Sequence, residues 1–299
     1  MVSKVDLHLH SSASDGRFST EEIVRKSAEQ GLTVIALADH DNVDGVAPAL
    51  AAAGAFSGLK VIPGVEISTY VPRGEVHVLG YFIDYTSEEL KVRLERVCNS
   101  RRERAQRMIA KLKDLGIRIE WQRVQEIADT GSMGRPHIAQ ALLEKGYVDS
   151  VNQAFAKYLG RDGLAYVEWE KMIPVEAVEL VIKTGGLPVL AHPLTVDNLE
   201  AMVTELKAAG LVGIEAYYKE YTAEEVAGLV GLADRNHLIT TGGSDYHGLE
   251  ADTETIIGGA EVPMEAAERL IALEEARARV SYSPHLFKPR CLYKGNFTA

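Results

Sequence analysis

Cysteine is scarce: Cys98 and Cys291 are the only two in 299 residues. They stand far apart and in no metal-ligand spacing. That excludes a disulfide framework and a cysteine-built zinc site, and it points to a reducing compartment. Positive charge is in deficit, with 32 Lys and Arg against 43 Asp and Glu and a formal net charge of −11. A long basic surface for tracking duplex nucleic acid is therefore not expected. A small phosphorylated substrate or the end of a short oligonucleotide stays open, because local cations decide that contact. No run of eighteen apolar residues occurs, so no membrane span is expected, and the stretch from Met1 to His8 lacks the apolar core of a signal peptide. The expected location is the cytoplasm, with no obligate protein partner. Repeats and low-complexity stretches are missing as well.

What is present is ordinary for a globular chain, with 46% hydrophobic and 25% charged residues. Short apolar or alternating segments of strand length fall at 5–10, 34–40, 60–68 and 75–84. Helical segments separate the first three, and Glu21 and Glu22 in the first turn after Ser19 and Thr20 mark one start. This alternation predicts a mainly parallel sheet or barrel. The pattern then changes. Residues 86–115 read as one long polar helix, with Thr86 and Glu89 in capping-box spacing and Gly116 as its stop. Helices at 121–128, 136–145 and 151–159 follow. Alternation resumes with strands at 187–192, 213–218 and 238–245, and a last helix is expected at 264–275. The expected fold is α/β, a seven-stranded barrel formed by residues 1–85 and 168–299. Residues 86–167 form an inserted helical lid. The tail from Ser281 carries no clear signal.

The histidines fall at strand ends. His8 and His10 close the first strand and, two apart, share one face of it. Asp15 follows in the next loop, and Asp39-His40-Asp41 ends the second strand. Glu66 lies near the end of the third and His77 within the fourth. His192 ends Leu190-Ala191-His192-Pro193, and Asp245-Tyr246-His247 ends the last. Each has an ordinary reading alone, as a packed histidine or a helix-capping carboxylate. In a barrel, however, the strand ends converge on one rim, so the set would meet. Convergent imidazoles and carboxylates bind divalent metals such as Mn²⁺, Fe²⁺ or Zn²⁺. His237 and His285 lack such placement and are read as surface or structural.

In this order the motifs resemble the PHP family, the polymerase and histidinol phosphatase superfamily, across almost the whole chain. The resemblance implies a distorted seven-stranded barrel that binds two or three divalent cations and hydrolyses phosphoric esters. It implies a first metal on His8, His10, Glu66 and Asp245, a second on Glu66, His77 and His192, and a third on Asp15, His40 and His247. Some members carry histidine where this chain has Asp15, a departure that bears on the third metal's identity. Gly134-Arg135-Pro136-His137 in the insertion looks like the branch that removes the 3′-phosphate from nucleoside 3′,5′-bisphosphates and trims short RNA from its 5′ end.

On that resemblance Arg135 and His137 are expected to meet a phosphate, although Pro136 also suits the first turn of a helix. Among Arg101, Arg102, Arg104 and Arg107, mostly a solvated helix face, Arg104 is the candidate for a second phosphate. Lys157, Tyr158 and Arg161 are weaker ones. Asp245, His192 and His137 are the candidates for proton transfer. Two rivals stand beside this reading. One is a histidinol-phosphate-type phosphatase or another phosphodiesterase. The other is a non-catalytic metal-binding module that supports a partner.

Overall fold

The computed structural model describes residues 4–72, 76–128, 134–168, 172–248 and 255–281. Within them one seven-stranded sheet runs in chain order: β1 (Val5–Leu9), β2 (Val34–Leu37), β3 (Lys60–Ser68), β4 (His77–Tyr81), β5 (Leu187–Leu190), β6 (Gly213–Tyr218) and β7 (Ile239–Gly243). The sheet nearly closes into a barrel. Leu9 and Tyr246 form a parallel bridge, and the His10 N–H donates to the Tyr246 carbonyl at 3.1 Å. Gly243 lets this seam close, because a Cβ there would fall on the Cβ and backbone nitrogen of His8.

One strand departs from the expected parallel order. β4 is antiparallel to both β3 and β5, while the other adjacent pairs are parallel. The cause is the connection: too few residues separate β3 from β4 for a crossover helix, so the chain turns back on itself. The consequence decides where His77 lies. As the first residue of a reversed strand it pairs with Ser68, the last of β3, on the rim where the parallel strands end.

α1 (Thr20–Glu29) begins at a capping box between Ser19 and Glu22. With α2 (Val46–Ala53) it covers the first strands, where Ile23, Val24 and Ala49 cluster with Leu9, Ile35 and Leu37. Between β4 and β5 lie α3 (Glu88–Asp114), α4 (Trp121–Ala128), α5 (Arg135–Glu144) and α6 (Val151–Ala154), which continues as a π-helical turn, Phe155–Leu159. The cap of α3 is Ser87, whose hydroxyl accepts from the Leu90 N–H at 3.4 Å. The Thr86 hydroxyl goes to Asp84 instead, so the expected box on Thr86 and Glu89 does not form. α3 serves two cores. Leu90, Leu94 and Val97 pack with β3 and β4, while Ala105, Met108 and Leu112 join a separate cluster with Ile138, Ala139 and Leu142 of α5.

α7 (Pro174–Lys183), α8 (Leu199–Ala209) and α9 (Ala223–Asn236) cover the later strands. α10 (Met264–Ser281) closes the floor. Its Ala266, Ala267 and Leu270 pack with Val5, Val34, Leu187 and Val189 near the strand beginnings, and Arg277 donates to the Gly186 carbonyl at 2.9 Å. The helix outruns its expected end because Glu275 to Arg279 is a run of good helix formers. Among the described residues, no helix is long and apolar enough to cross a membrane.

Candidate metal centre

With the floor sealed, the opposite rim is left to polar side chains. Glu66, fully buried, stands at its middle. Its Oε1 lies 2.8 Å from His77 Nδ1 and 2.9 Å from His192 Nε2. Its Oε2 lies 3.1 Å from His8 Nε2, 3.3 Å from His10 Nε2 and 3.2 Å from His40 Nδ1. Five imidazoles from four strands thus surround one carboxylate. Asp245 Oδ1 adds contacts of 3.0 Å to His10 and 3.5 Å to His8. Asp15 lies 3.4 Å from His247 and 3.8 Å from each of His10 and His40.

Their ligand atoms gather in three overlapping groups, each within 4.8 Å: His8, His10, Glu66 and Asp245; His10, Asp15, His40 and His247; and His40, Glu66 and His77. The first matches the expected grouping. The second adds His10 to the expected three. The third has His40 beside Glu66 and His77, while His192 reaches the same Glu66 oxygen. The nine expected ligands all lie on this rim.

The rim fits cations. Both ring nitrogens of His10 and Nδ1 of His40 are buried and form no hydrogen bond, although carboxylate oxygens stand close by. Donors that face acceptors out of hydrogen-bond alignment suit an ion between them. An imidazole and carboxylate set without cysteine suits Mn²⁺, Fe²⁺ or Zn²⁺. Without an ion the groups balance one another. Burial disfavours charge on His8 and His10, but Glu215, Glu66 and Asp245 outweigh it for His8 and hold it well above the usual histidine range. Asp245 and Glu66 lift His10 to about 10. Burial likewise opposes charge on Glu66, Asp15 and Asp245, yet the surrounding histidines hold all three well below ordinary carboxylate values. Burial wins at His40, pushing it well below the usual value.

Two buried acids hold the frame. Asp39 accepts from Ser11 N–H, Ser11 Oγ and Ser14 Oγ at 2.6–2.7 Å, fixing the loop that carries Asp15. Asp6 accepts from Ser244 N–H at 2.9 Å and its hydroxyl at 2.6 Å, fixing the residue before Asp245. Asp41, His192 and Asp245 each have positive φ, at 48°, 25° and 49°. Such conformations cost about 1–3 kcal/mol each and persist where packing over-determines them.

The insertion overhangs this rim. His137 lies within electrostatic reach of Asp15 and Arg101, and burial lowers its pKa. Its Nδ1 accepts from the Gly134 N–H at 3.0 Å, which leaves the proton of the neutral ring on Nε2. Arg135 lies over the Phe155 ring at 5.4 Å, on the π-helical turn. Arg104 donates to the Val167 carbonyl at 2.8 Å and lies 5.0 Å from the Tyr166 ring, while burial and the nearby Arg135 lower its pKa to about 10. Arg101, one turn earlier, reaches the rim: it pairs with Asp41 at 2.6 Å and donates to Ser68 Oγ. Arg161 donates to the Val71 carbonyl. His237 caps α9, and His285 lies outside the described residues.

Sequence reasoning missed Glu215, Tyr218 and Lys219, and it left Arg101 on a solvated helix face. Tyr218 donates to Asp245 Oδ2 at 2.7 Å, and Lys219 Nζ lies 3.4 Å from the same oxygen. Glu215 had one usable signal: it is the lone acid in the buried part of β6.

Known proteins are similar to this chain over most of its length. A 3′,5′-nucleoside bisphosphate phosphatase of Chromobacterium violaceum is 33% identical over 82% of this chain and 88% of its own length. A 5′-3′ exoribonuclease of Haemophilus influenzae is 34% identical over 83% of this chain and 91% of its own. A solved structure from Bifidobacterium adolescentis, designated a metal-dependent phosphoesterase, superposes with a TM-score of 0.79 at 26% identity, covering 90% of this chain and 95% of that one. The PHP domain model matches residues 6–278. The chain is thus a hydrolase, and it belongs to the PHP domain family of metal-dependent phosphoesterases.

Proposed function

We propose that this chain removes the 3′-phosphate from nucleoside 3′,5′-bisphosphates, and that the same site trims short RNA from its 5′ end. The observation that carries this is the meeting of two chemistries in one place. A metal-fitting rim centred on Glu66 lies beneath an insertion that brings Arg101 and His137 toward it, with Arg135 two residues before His137. The bisphosphate phosphatase and the exoribonuclease related to this chain support both halves of the reading.

The ligands would be His8, His10, Glu66 and Asp245 for one cation and Glu66, His77 and His192 for a second. Asp15, His40 and His247 would hold a third. When bound, such cations supply Lewis acidity and a water activated near neutral pH. The protein's own groups do the rest. Arg135 and Arg101 offer planar forks that bind and orient phosphoryl oxygens. His137 keeps its proton on Nε2 and hydrogen-bonds the leaving oxygen from there. It suits this role better than His192, whose Nε2 faces Glu66 at 2.9 Å. Asp245 stays ionised among its histidines and anchors the rim. The completeness of the ligand set weighs against a non-catalytic module. Scarce cysteine supports a reducing, cytoplasmic setting.

The test is phosphate release, and for RNA nucleotide release, by chelated protein reloaded separately with Mn²⁺, Fe²⁺ and Zn²⁺. The substrates are adenosine 3′,5′-bisphosphate, adenosine 5′-monophosphate, histidinol phosphate and a short 5′-phosphorylated RNA. Metal-dependent release from the bisphosphate, well above that from the other monoesters, is expected. Equal or faster turnover of histidinol phosphate would overturn the assignment.

A further inference from the structure

Glu215 sits on β6, is fully buried, and belongs to none of the three ligand groups. Its two carboxylate oxygens are divided. Oε1 faces His8 Nδ1 at 2.9 Å, and Oε2 accepts from the backbone N–H of His192 at 2.7 Å. These partners lie on strands at different places around the barrel, β1 and the end of β5. On the far side of the His8 ring, Nε2 points at Glu66 Oε2 and Asp245 Oδ1. His192 has φ 25°, a value that an L-residue adopts only when something holds it.

We propose that Glu215 is a positioning residue that makes His8 offer Nε2 to a metal and pins the strained backbone from which His192 reaches the same cluster. The inference rests on the metal reading of the rim. The physical case is one of donor and acceptor count. An imidazole that donates Nδ1–H to a carboxylate carries its free lone pair on Nε2, the nitrogen that faces Glu66 and Asp245. The His192 N–H is buried and must find an acceptor. Only a group with two acceptor oxygens and no donor serves both at once. Ionised glutamate is such a group; glutamine is not, because its NH₂ must face one of the two N–H groups. One carboxylate therefore ties ligands of two neighbouring cation positions together, and loading of the two is coupled through it.

Glu215→Gln separates this role from packing, since the two side chains have nearly the same shape. A side chain needed only to fill space leaves metal binding intact in the glutamine variant. A side chain needed as a double acceptor does not, and metal affinity falls by about 10–100-fold, the range for loss of an orienting partner. Affinity is read by competition with a chromophoric chelator, using Zn²⁺ alone, on wild type and variant whose far-UV spectra match. Unchanged affinity in Glu215→Gln overturns the proposal. A wild type that takes up no Zn²⁺ overturns the metal reading, and the proposal with it. A second measurement does not depend on the variant folding. In Zn²⁺-loaded wild type, long-range ¹H–¹⁵N spectra should place the His8 ring proton on Nδ1. A proton on Nε2 overturns the proposal even if the metal is bound.

Discussion

Glu66 Oε1 lies 2.9 Å from His192 Nε2, although 126 positions separate the two residues. Glu66 Oε2 meanwhile faces His8, His10 and His40. A single carboxylate thus joins ligands from β1, the end of β2, β4 and the end of β5. Glu66→Gln keeps the shape and removes the charge. Loss of an outer partner alone costs up to about 100-fold in activity, so loss of this shared carboxylate should cost more in kcat/KM. Metal analysis of the purified variant should show at least one cation fewer per chain than wild type. Full metal content with wild-type turnover would refute the central place given to Glu66.

Protons and cations compete for the same nitrogens. His10 is lifted from 6.5 to about 10 in the metal-free protein, so its stabilising effect is complete below 6.5 and disappears as pH rises toward 10. Glu66 and Asp245 are held below their ordinary values of 4.5 and 3.8, so their contribution is present above those values and lost as pH falls. The metal-free protein should therefore be most stable between about pH 4.5 and 6.5. Metal binding needs neutral imidazoles, so it must expel these protons and strengthen as pH rises. Melting temperatures with chelator and with Mn²⁺ across pH 5 to 9 should diverge as pH climbs. Mn²⁺ uptake at pH 7 in weak buffer should acidify the solution. A pH-independent gap between the two curves would contradict this.

Arg135 and Arg101 act on binding more than on chemistry if they hold phosphate. A hydrogen bond to a charged group is worth about 1.5–3 kcal/mol, so Arg135→Ala should raise KM for the bisphosphate by about 10–150-fold with a smaller change in kcat. Arg135→Lys should recover only part, since an ammonium lacks the planar fork. Arg101→Ala has a second effect, because it leaves the buried Asp41 carboxylate without its 2.6 Å partner. It should lower the melting temperature, whereas Arg135→Ala should not. Equal KM values for wild type and Arg135→Ala would remove the arginine from the phosphate site.

The rim residues were legible as candidate ligands because strand ends leave a repeating mark: imidazoles and acids that interrupt apolar runs at the same phase. His77 was the weak member for a physical reason. It begins a strand, and only the reversal of β4 brings that beginning to the rim where the parallel strands end. Glu215 was hidden in the same way that it works, as an acid enclosed in β6 whose partners lie on other strands. Arg101 was indistinguishable from Arg102, Arg104 and Arg107 on a polar helix. Helix phase says which residues share a face but not which neighbour that face meets, and here Arg101 meets Asp41 and Ser68 while Arg104 meets Val167 and Tyr166.

The division of α3 between two cores yields the last prediction. Leu90, Leu94 and Val97 bind the helix to the barrel, whereas Met108 and Leu112 belong to the insertion. Leu112 is fully buried, so Leu112→Ala should cost about 2–5 kcal/mol, felt first in the insertion's own cluster. The metal-fitting residues stand on the barrel rim and do not depend on that cluster. The variant should keep wild-type metal content, show faster hydrogen exchange in α4 and α5, and bind the bisphosphate more weakly because Arg135 and His137 lose their support. If the variant instead loses metal in parallel with exchange protection, the two cores unfold as one. α3 would then be a rigid strut that transmits the damage to the rim, not a stem on which the insertion opens independently.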